Sequence, residues 1–506
     1  MNHVYRVVFN RSLGVYQCVS EIAKSRGKSS GKSQVVGNSQ SVAKLLLTPL
    51  TVAMLFASGS AVAVTYDNGG TTQAPSDPYL VINDVVTGEN TQLIAENLYV
   101  VDNNLLTIKE KGTTKVNDET FVDKGGKIQL SNTASLNAKN MILGYEGIGI
   151  LDVNSGSSVA VSGLLNLASQ LGSKGDLRVS GAGSTLTVDQ DITNGIEGQG
   201  NILVDQGGSL KIGNVLDIGS RVGSANSGLT VTDTGSSVVT AKTAVGNKAQ
   251  GSLVIKDGAS YTDQQQLNVA QEAKGEVEVT GANSTLKTAN NYIGIGNEGS
   301  LTITEGAKVT SSKQTVLGVD NNGKGTVTVK GPDSKLTANE LAVGFAGEGS
   351  LTVSEGGQVA GGTTVVGAAA NGKGSVTVDG VGSKLISTKM SIGQNGNGTL
   401  NVNNGGYASA EEALRIGNGT TAKGVVNVQG SGSQVETKGM AVGWEGNGEL
   451  NILNGGRLNN TDIGIAVGDT DSGIGKINVA GSNSILSSDQ ILYAGTVGKG
   501  DIQVKD

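Results

Sequence analysis

Carboxylates are the only side chains left for catalysis in this sequence. Its one histidine is His3 and its one cysteine is Cys18. Both lie near the N-terminus, so removal of that end leaves no thiolate, no imidazole base and no Cys/His metal set. Glutamates do recur: Glu146, Glu197, Glu298 and Glu445 each stand in a Gly-x-Glu-Gly turn, while comparable turns hold Ala346 and Asn395. Neighbours in that series would sit about 9.6 Å apart on stacked strands. That is the wide end for an inverting carboxylate pair and too far for a retaining one, which favours solvated turn residues over a catalytic dyad. The same turn carries Tyr145, Phe345 and Trp444, the last the only tryptophan. Exposed aromatics suit a saccharide surface, but scattered aromatics more often pack a turn. This edge is the expected surface contact edge, if the chain has one. Gly294-x-Gly296-x-x-Gly299 matches a dinucleotide motif only through glycine abundance, and it precedes a strand instead of a helix. No catalytic residue, cofactor or metal is expected, and the chain is expected not to be an enzyme.

The elements that hold these turns come from an internal repeat. Its clearest copy is Gly349-Ser350-Leu351-Thr352-Val353, followed by Ser354-Glu355-Gly356-Gly357-Gln358-Val359. With the first apolar residue as anchor, copies run from Leu151 to Ile502 at fifteen positions, 24 to 27 residues apart. Val or Ile always stands two after the anchor. Gly stands two before it in fourteen copies, Ser227 being the exception. Apolar–polar–apolar alternation marks a strand, and each unit offers about three short strands joined by Gly-rich turns. Such a unit cannot bury its own apolar face but can do so against identical neighbours. The fold class is therefore all-β: a parallel β-helix of about fifteen 25-residue coils, right-handed by the general rule for parallel crossovers. Two kinds of unit alternate. One has Gly five after the anchor (Gly156 through Gly455), read as positive φ in a tight turn. The other has Ser seven after it (Ser184 through Ser484), read as bonding its own turn backbone.

Composition agrees. Aromatics make up 3% of 506 residues, beside 79 Gly and 4 Pro. That is too few aromatics for an ordinary globular core but enough for stacked Val, Leu and Ile. Residues 1–63 hold seven of the 37 Lys/Arg and one of the 44 Asp/Glu, so the remainder carries 30 against 43, a net of −13. An acidic rod is a poor nucleic-acid ligand.

The apolar run Leu45 to Ala57 is too short to cross a bilayer comfortably. Basic residues precede it, and Ala61-Val62-Ala63 follows as an A-x-A cleavage site, the pattern of a secretory signal peptide. Ahead of the run, Tyr5-Arg6-Val7, Phe9-Asn10, Leu13-Gly14, Val19-Ser20-Glu21 and Ala23 to Lys28 closely resemble the extended signal peptide region of Gram-negative autotransporters and two-partner exoproteins. The resemblance implies inner-membrane export followed by outer-membrane passage. The repeat units also resemble those of autotransporter passengers.

The expected organisation is an extended, cleaved signal peptide over 1–63, an N-terminal cap with irregular coils over 64–138, and the β-helix over 139–506. The chain stops inside its fifteenth unit with no run of barrel strands, which reads as truncation or as dependence on a separate barrel. The expected protein is a secreted or surface-exposed passenger acting as an adhesin or aggregation factor through multivalent contacts. Its partners would be the inner-membrane secretion machinery, an outer-membrane barrel and an unknown host or bacterial surface ligand, with no nucleic acid. A polysaccharide-active enzyme using acidic residues and a purely structural stalk are the alternatives.

Overall fold

The computed structural model describes residues 5–10, 15–20, 63–67, 69–224 and 226–506, in two units, Met1–Ser60 and Ala61–Asp506. In the first, Tyr5–Asn10 pairs antiparallel with Val15–Ser20, Tyr5 opposite Ser20. The apolar run 45–57 and Ala61 lie outside the described residues. Ala63 is described and exposed.

The second unit is all strand and turn, with no helix among the described residues, and its strands pair in parallel from coil to coil. One coil shows the plan. Lys324–Lys330 forms a first face, and Lys335–Val343 forms the second and third, which meet at a corner near Asn339. Alternate residues point inward, as the period of a strand requires. Val327, Val329, Leu336, Ala338, Leu341 and Val343 are all at most 3% exposed. Each next coil repeats them in register, Val327 on Leu351 and Leu336 on Val359. Burying each such Val or Leu contributes about 1.5–3 kcal/mol, so a thin interior of aliphatic columns suffices without aromatics.

The parallel β-helix stands as expected, but the coil count needs correction. The first face holds nineteen strands, hence about eighteen turns and not fifteen. Thr65–Tyr66, Val85–Thr87, Leu105–Lys109 and Gly126–Leu130 precede the first counted strand and stack in the same face. These coils are shorter: Leu106, Ile128 and Leu151 align at intervals of 22 and 23 residues. Three of their turns take positive φ on two successive non-glycine residues, Asp102–Asn103, Glu110–Lys111 and Asn132–Thr133, while Lys124 keeps a glycine beside it in Gly125, so the glycine punctuation that marks later coils is largely missing. At about 4.8 Å per coil, eighteen turns make a stack of about 85 Å.

The two alternating turns lock into each other. In the first kind, Glu355 and Gly356 both have positive φ, 52° and 89°, which settles the glycine as a conformational requirement. The serine of the second kind does more than bond its own turn. It reaches the preceding coil: the Gly306 N–H donates to Ser334 Oγ at 3.0 Å. The same bond recurs in all seven pairs from Gly156–Ser184 to Gly455–Ser484, at 2.9–3.1 Å. Ser383, Ser433 and Ser484 also donate to their own turn carbonyl four residues back. The glycine two before the anchor has a steric cause. A Cβ on Gly349 would come 2.0 Å from the Gly344 nitrogen, so the end of the third face and the start of the next coil meet backbone to backbone.

Ser334 is fully buried, so Ser334→Ala leaves the Gly306 amide without a partner, at a cost of about 1–3 kcal/mol. Native-state hydrogen exchange is expected to show the Gly306 amide exchanging roughly 10- to 100-fold faster, with amides several coils away unchanged.

Candidate contact groove on the third face

The three aromatics of the expected contact edge occupy one structural position. Tyr145, Phe345 and Trp444 each follow the positive-φ glycine that ends the third face: Gly144, Gly344 and Gly443. They share an edge but not a site, since eight coils separate Tyr145 from Phe345 and four separate Phe345 from Trp444, about 38 Å and 19 Å. Tyr145 is a packing residue. Its ring lies 5.7 Å from Phe121, which lies 5.3 Å from Tyr99, both of these buried. Its amide donates to the Asp123 carboxylate, as do those of Glu146 and Gly147. Phe345 is 45% exposed.

Trp444 stands in different company. The Arg415 guanidinium lies over its ring, 4.7 Å from the centroid, a contact worth about 0.5–1 kcal/mol near a surface. Its carbonyl accepts the amide and the hydroxyl of Thr470 in the next coil, at 3.2 and 2.7 Å, which holds the turn in place. Beside it, one outward column of the third face runs Arg415, Ala441, Ala466, Tyr493. Two small residues between two large ones leave a depression of about 390 Å³. Ala441 and Ala466 form its floor, Arg415 and Tyr493 close it along the stack, Ile463 closes it toward the corner, and Trp444 with Asp469 closes the outer edge. The volume falls in the roughly 300–1,000 Å³ range of ligand sites. Of these residues only Trp444 was singled out from sequence. The signal for the rest was a run of alanines at outward positions, readable only once the register is known.

The recurring glutamates do not assemble. Glu298 is out of register with the others: it pairs with Lys324, which pairs in turn with Glu348 in the first face, on the ladder position of Ile148 and not of Glu146. It forms an exposed ion pair with Lys324 at 3.3 Å, and Glu146 one with Lys124 at 3.9 Å. The carboxyls that are perturbed lie elsewhere and inside. Burial, with the neighbouring Asp118 charge adding to it, pushes Glu119 up to about 7. Burial pushes Asp263 up to about 6 against the amides of Gln265 and Gln266, which donate to it at 2.9 and 2.6 Å. Both are sealed from solvent, at 4% and 1% exposure, so their shifts report desolvation and not an acid–base site.

The comparisons with known proteins bear chiefly on the leader. Residues 1–50 match the family described as the extended signal peptide of the type V secretion system. That leader stands ahead of a parallel β-solenoid, an organisation similar to that of autotransporter-type passengers, and it supports export to the cell surface or the extracellular space. Among curated proteins, it is 28% identical over 199 residues to the uncharacterized lipoprotein YdeK of Escherichia coli strain K12, covering 37% of this chain. The matched part spans only 14% of that relative's own length. Among solved structures, the crystal structure of a TibC-catalysed, hyper-glycosylated TibA fragment aligns over 88% of this chain and all of its own, with 16% identity and a TM-score of 0.26.

Glu119 gives a pH prediction. Its carboxyl holds the proton more tightly folded than unfolded, so its ionisation subtracts stability as pH rises from about 4.3, the unfolded value, through about 7. Glu119→Gln is expected to stabilise the stack by on the order of 2 kcal/mol at pH 8 and to have no effect near pH 4. Urea-unfolding midpoints at the two pH values check this.

Proposed function

We propose that the exported stack is a non-enzymatic adhesin or aggregation factor working through many weak surface contacts. One observation carries the reading: the coil-to-coil register aligns like side chains on the outward faces. On the first face, four consecutive threonines from Thr302 to Thr377 are followed by four consecutive asparagines from Asn401 to Asn478. The asparagines bond one to the next, at 2.8 Å from Asn427 to Asn401 and 3.0 Å from Asn451 to Asn427. A ladder with one identical group every ~4.8 Å offers a partner repeated contacts whose energies sum.

On this reading, the inner-membrane secretion machinery removes the leader after Ala63. An outer-membrane barrel passes the stack outward, and the ligand is a host or bacterial surface. The acidic balance disfavours nucleic acid. The edge bearing Phe345 and Trp444 is the assigned contact edge, with Tyr145 reserved for packing. Two other readings make different demands. A stalk binds nothing by itself, and an acidic-residue polysaccharide enzyme requires turnover that Glu445→Gln abolishes.

N-terminal sequencing of the exported chain is expected to begin at Val64. Purified chain coupled to beads at graded density is expected to bind bacterial or epithelial cells with a steep rise in retention at high density. No retention at any density rules out the adhesin and leaves the stalk. Hydrolysis or lyase products from added polysaccharide, lost in Glu445→Gln, would replace it with the enzyme.

A further inference from the structure

We infer that the depression beside Trp444 is a subsite for one neutral pyranose unit of a surface glycan. The inference rests on the adhesin reading and supplies the ligand class for its contact edge. A pyranose has an apolar C–H face and a rim of hydroxyls that both donate and accept. The groove matches both aspects. Its floor, Ala441 and Ala466, is flat and apolar, and aromatic rings stand on two of its sides, Trp444 at the edge and Tyr493 three coils along the column from Arg415. Arg415 supplies guanidinium donors held in place by the Trp444 ring at 4.7 Å. Asp469 supplies a carboxylate acceptor on the same rim and is itself positioned by the Thr496 hydroxyl at 3.3 Å. Donor and acceptor, two coils and so about 9.6 Å of stack apart, suit hydroxyls on opposite edges of one ring. An aliphatic ligand has no use for either charge, and an anionic ligand meets the Asp469 carboxylate as well as the guanidinium. Ile463, 63% exposed, closes the groove toward the corner only in part, so a sugar inside a longer chain can enter from that side without a free end.

The tryptophan count makes the site measurable, because Trp444 is the only one in the chain and its emission reports on this groove alone. The full exported chain is titrated with the methyl glycosides of glucose, galactose, mannose and N-acetylglucosamine, and separately with glucuronate. At least one neutral glycoside is expected to shift Trp444 emission saturably in the millimolar range. Ala466→Leu fills the floor and Asp469→Asn removes the charged acceptor; each is expected to weaken that response about tenfold or more. Circular dichroism confirms that both variants fold, and the milder Asp469→Asn carries the test if Ala466→Leu does not. Lys308→Ala, in an earlier coil and on another face, leaves the response unchanged. No shift with any neutral glycoside overturns the inference, as does a shift that survives both groove variants, or a response to glucuronate alone. Cell retention separates this from the parent reading. Beads that bind cells equally well with Asp469→Asn overturn the subsite and keep the adhesin, whereas wild-type beads that bind no cells overturn the adhesin.

Discussion

The stack depends on a buried serine hydroxyl that accepts the glycine amide of the coil before it. In a turn with two successive residues at positive φ, such as Glu355–Gly356, the glycine amide points along the stack and finds no acceptor in its own coil. The next coil has the longer turn, which places a serine against that amide, Ser383 for Gly356 at 3.1 Å. An amide buried without a partner costs about 1–3 kcal/mol, so either turn stacked on its own kind loses the match. The alternation of two unit types is therefore a pairing rule. A stack of this design keeps every such bond when it lengthens by pairs of coils, about fifty residues at a time, and not by single coils.

The periodic parts of this fold were legible because they answer to one-dimensional constraints. Leu351 and Val353 must point inward, Gly349 must lack a Cβ where two backbones meet, and Gly356 must adopt positive φ. Each leaves a residue type at a fixed offset. The early coils escaped the pattern because Asn103, Lys111 and Thr133 take the positive φ that glycine supplies later, and because 22-residue spacing falls below the main repeat. The serine ladder was visible as a ladder, but its partner was not: spacing within one coil says nothing of which coil a hydroxyl bonds. Likewise Glu298 shares a local pattern with Glu146 yet sits two positions later on the ladder, because it stands three residues before its anchor Leu301 where Glu146 stands five before Leu151, an offset that the Gly-x-Glu-Gly pattern alone does not carry.

The groove was hidden for the same reason in stronger form. Arg415, Ala441, Ala466 and Tyr493 are about 25 residues apart, and no local pattern joins them. They become neighbours only through the register that the interior columns impose. In a solenoid the inward residues are tied to their neighbours above and below, while outward residues vary coil by coil at little cost to the stack. Binding surfaces are then written as departures from the outward columns, here two alanines where bulk would otherwise fill the face.

That arrangement ties the groove to order over several coils at once. Arg415 belongs to one coil, Ala441 and Trp444 to the next, Ile463, Ala466 and Asp469 to the third and Tyr493 to the fourth. No single coil contains enough of it to hold a ligand, and four coils out of register would scatter it. A ligand that binds only the assembled groove stabilises those four coils together, because anything that binds the folded state alone shifts the equilibrium toward it. Recognition at this edge and cohesion of the stack are thus parts of one equilibrium, and the interior columns that impose the register also set the site.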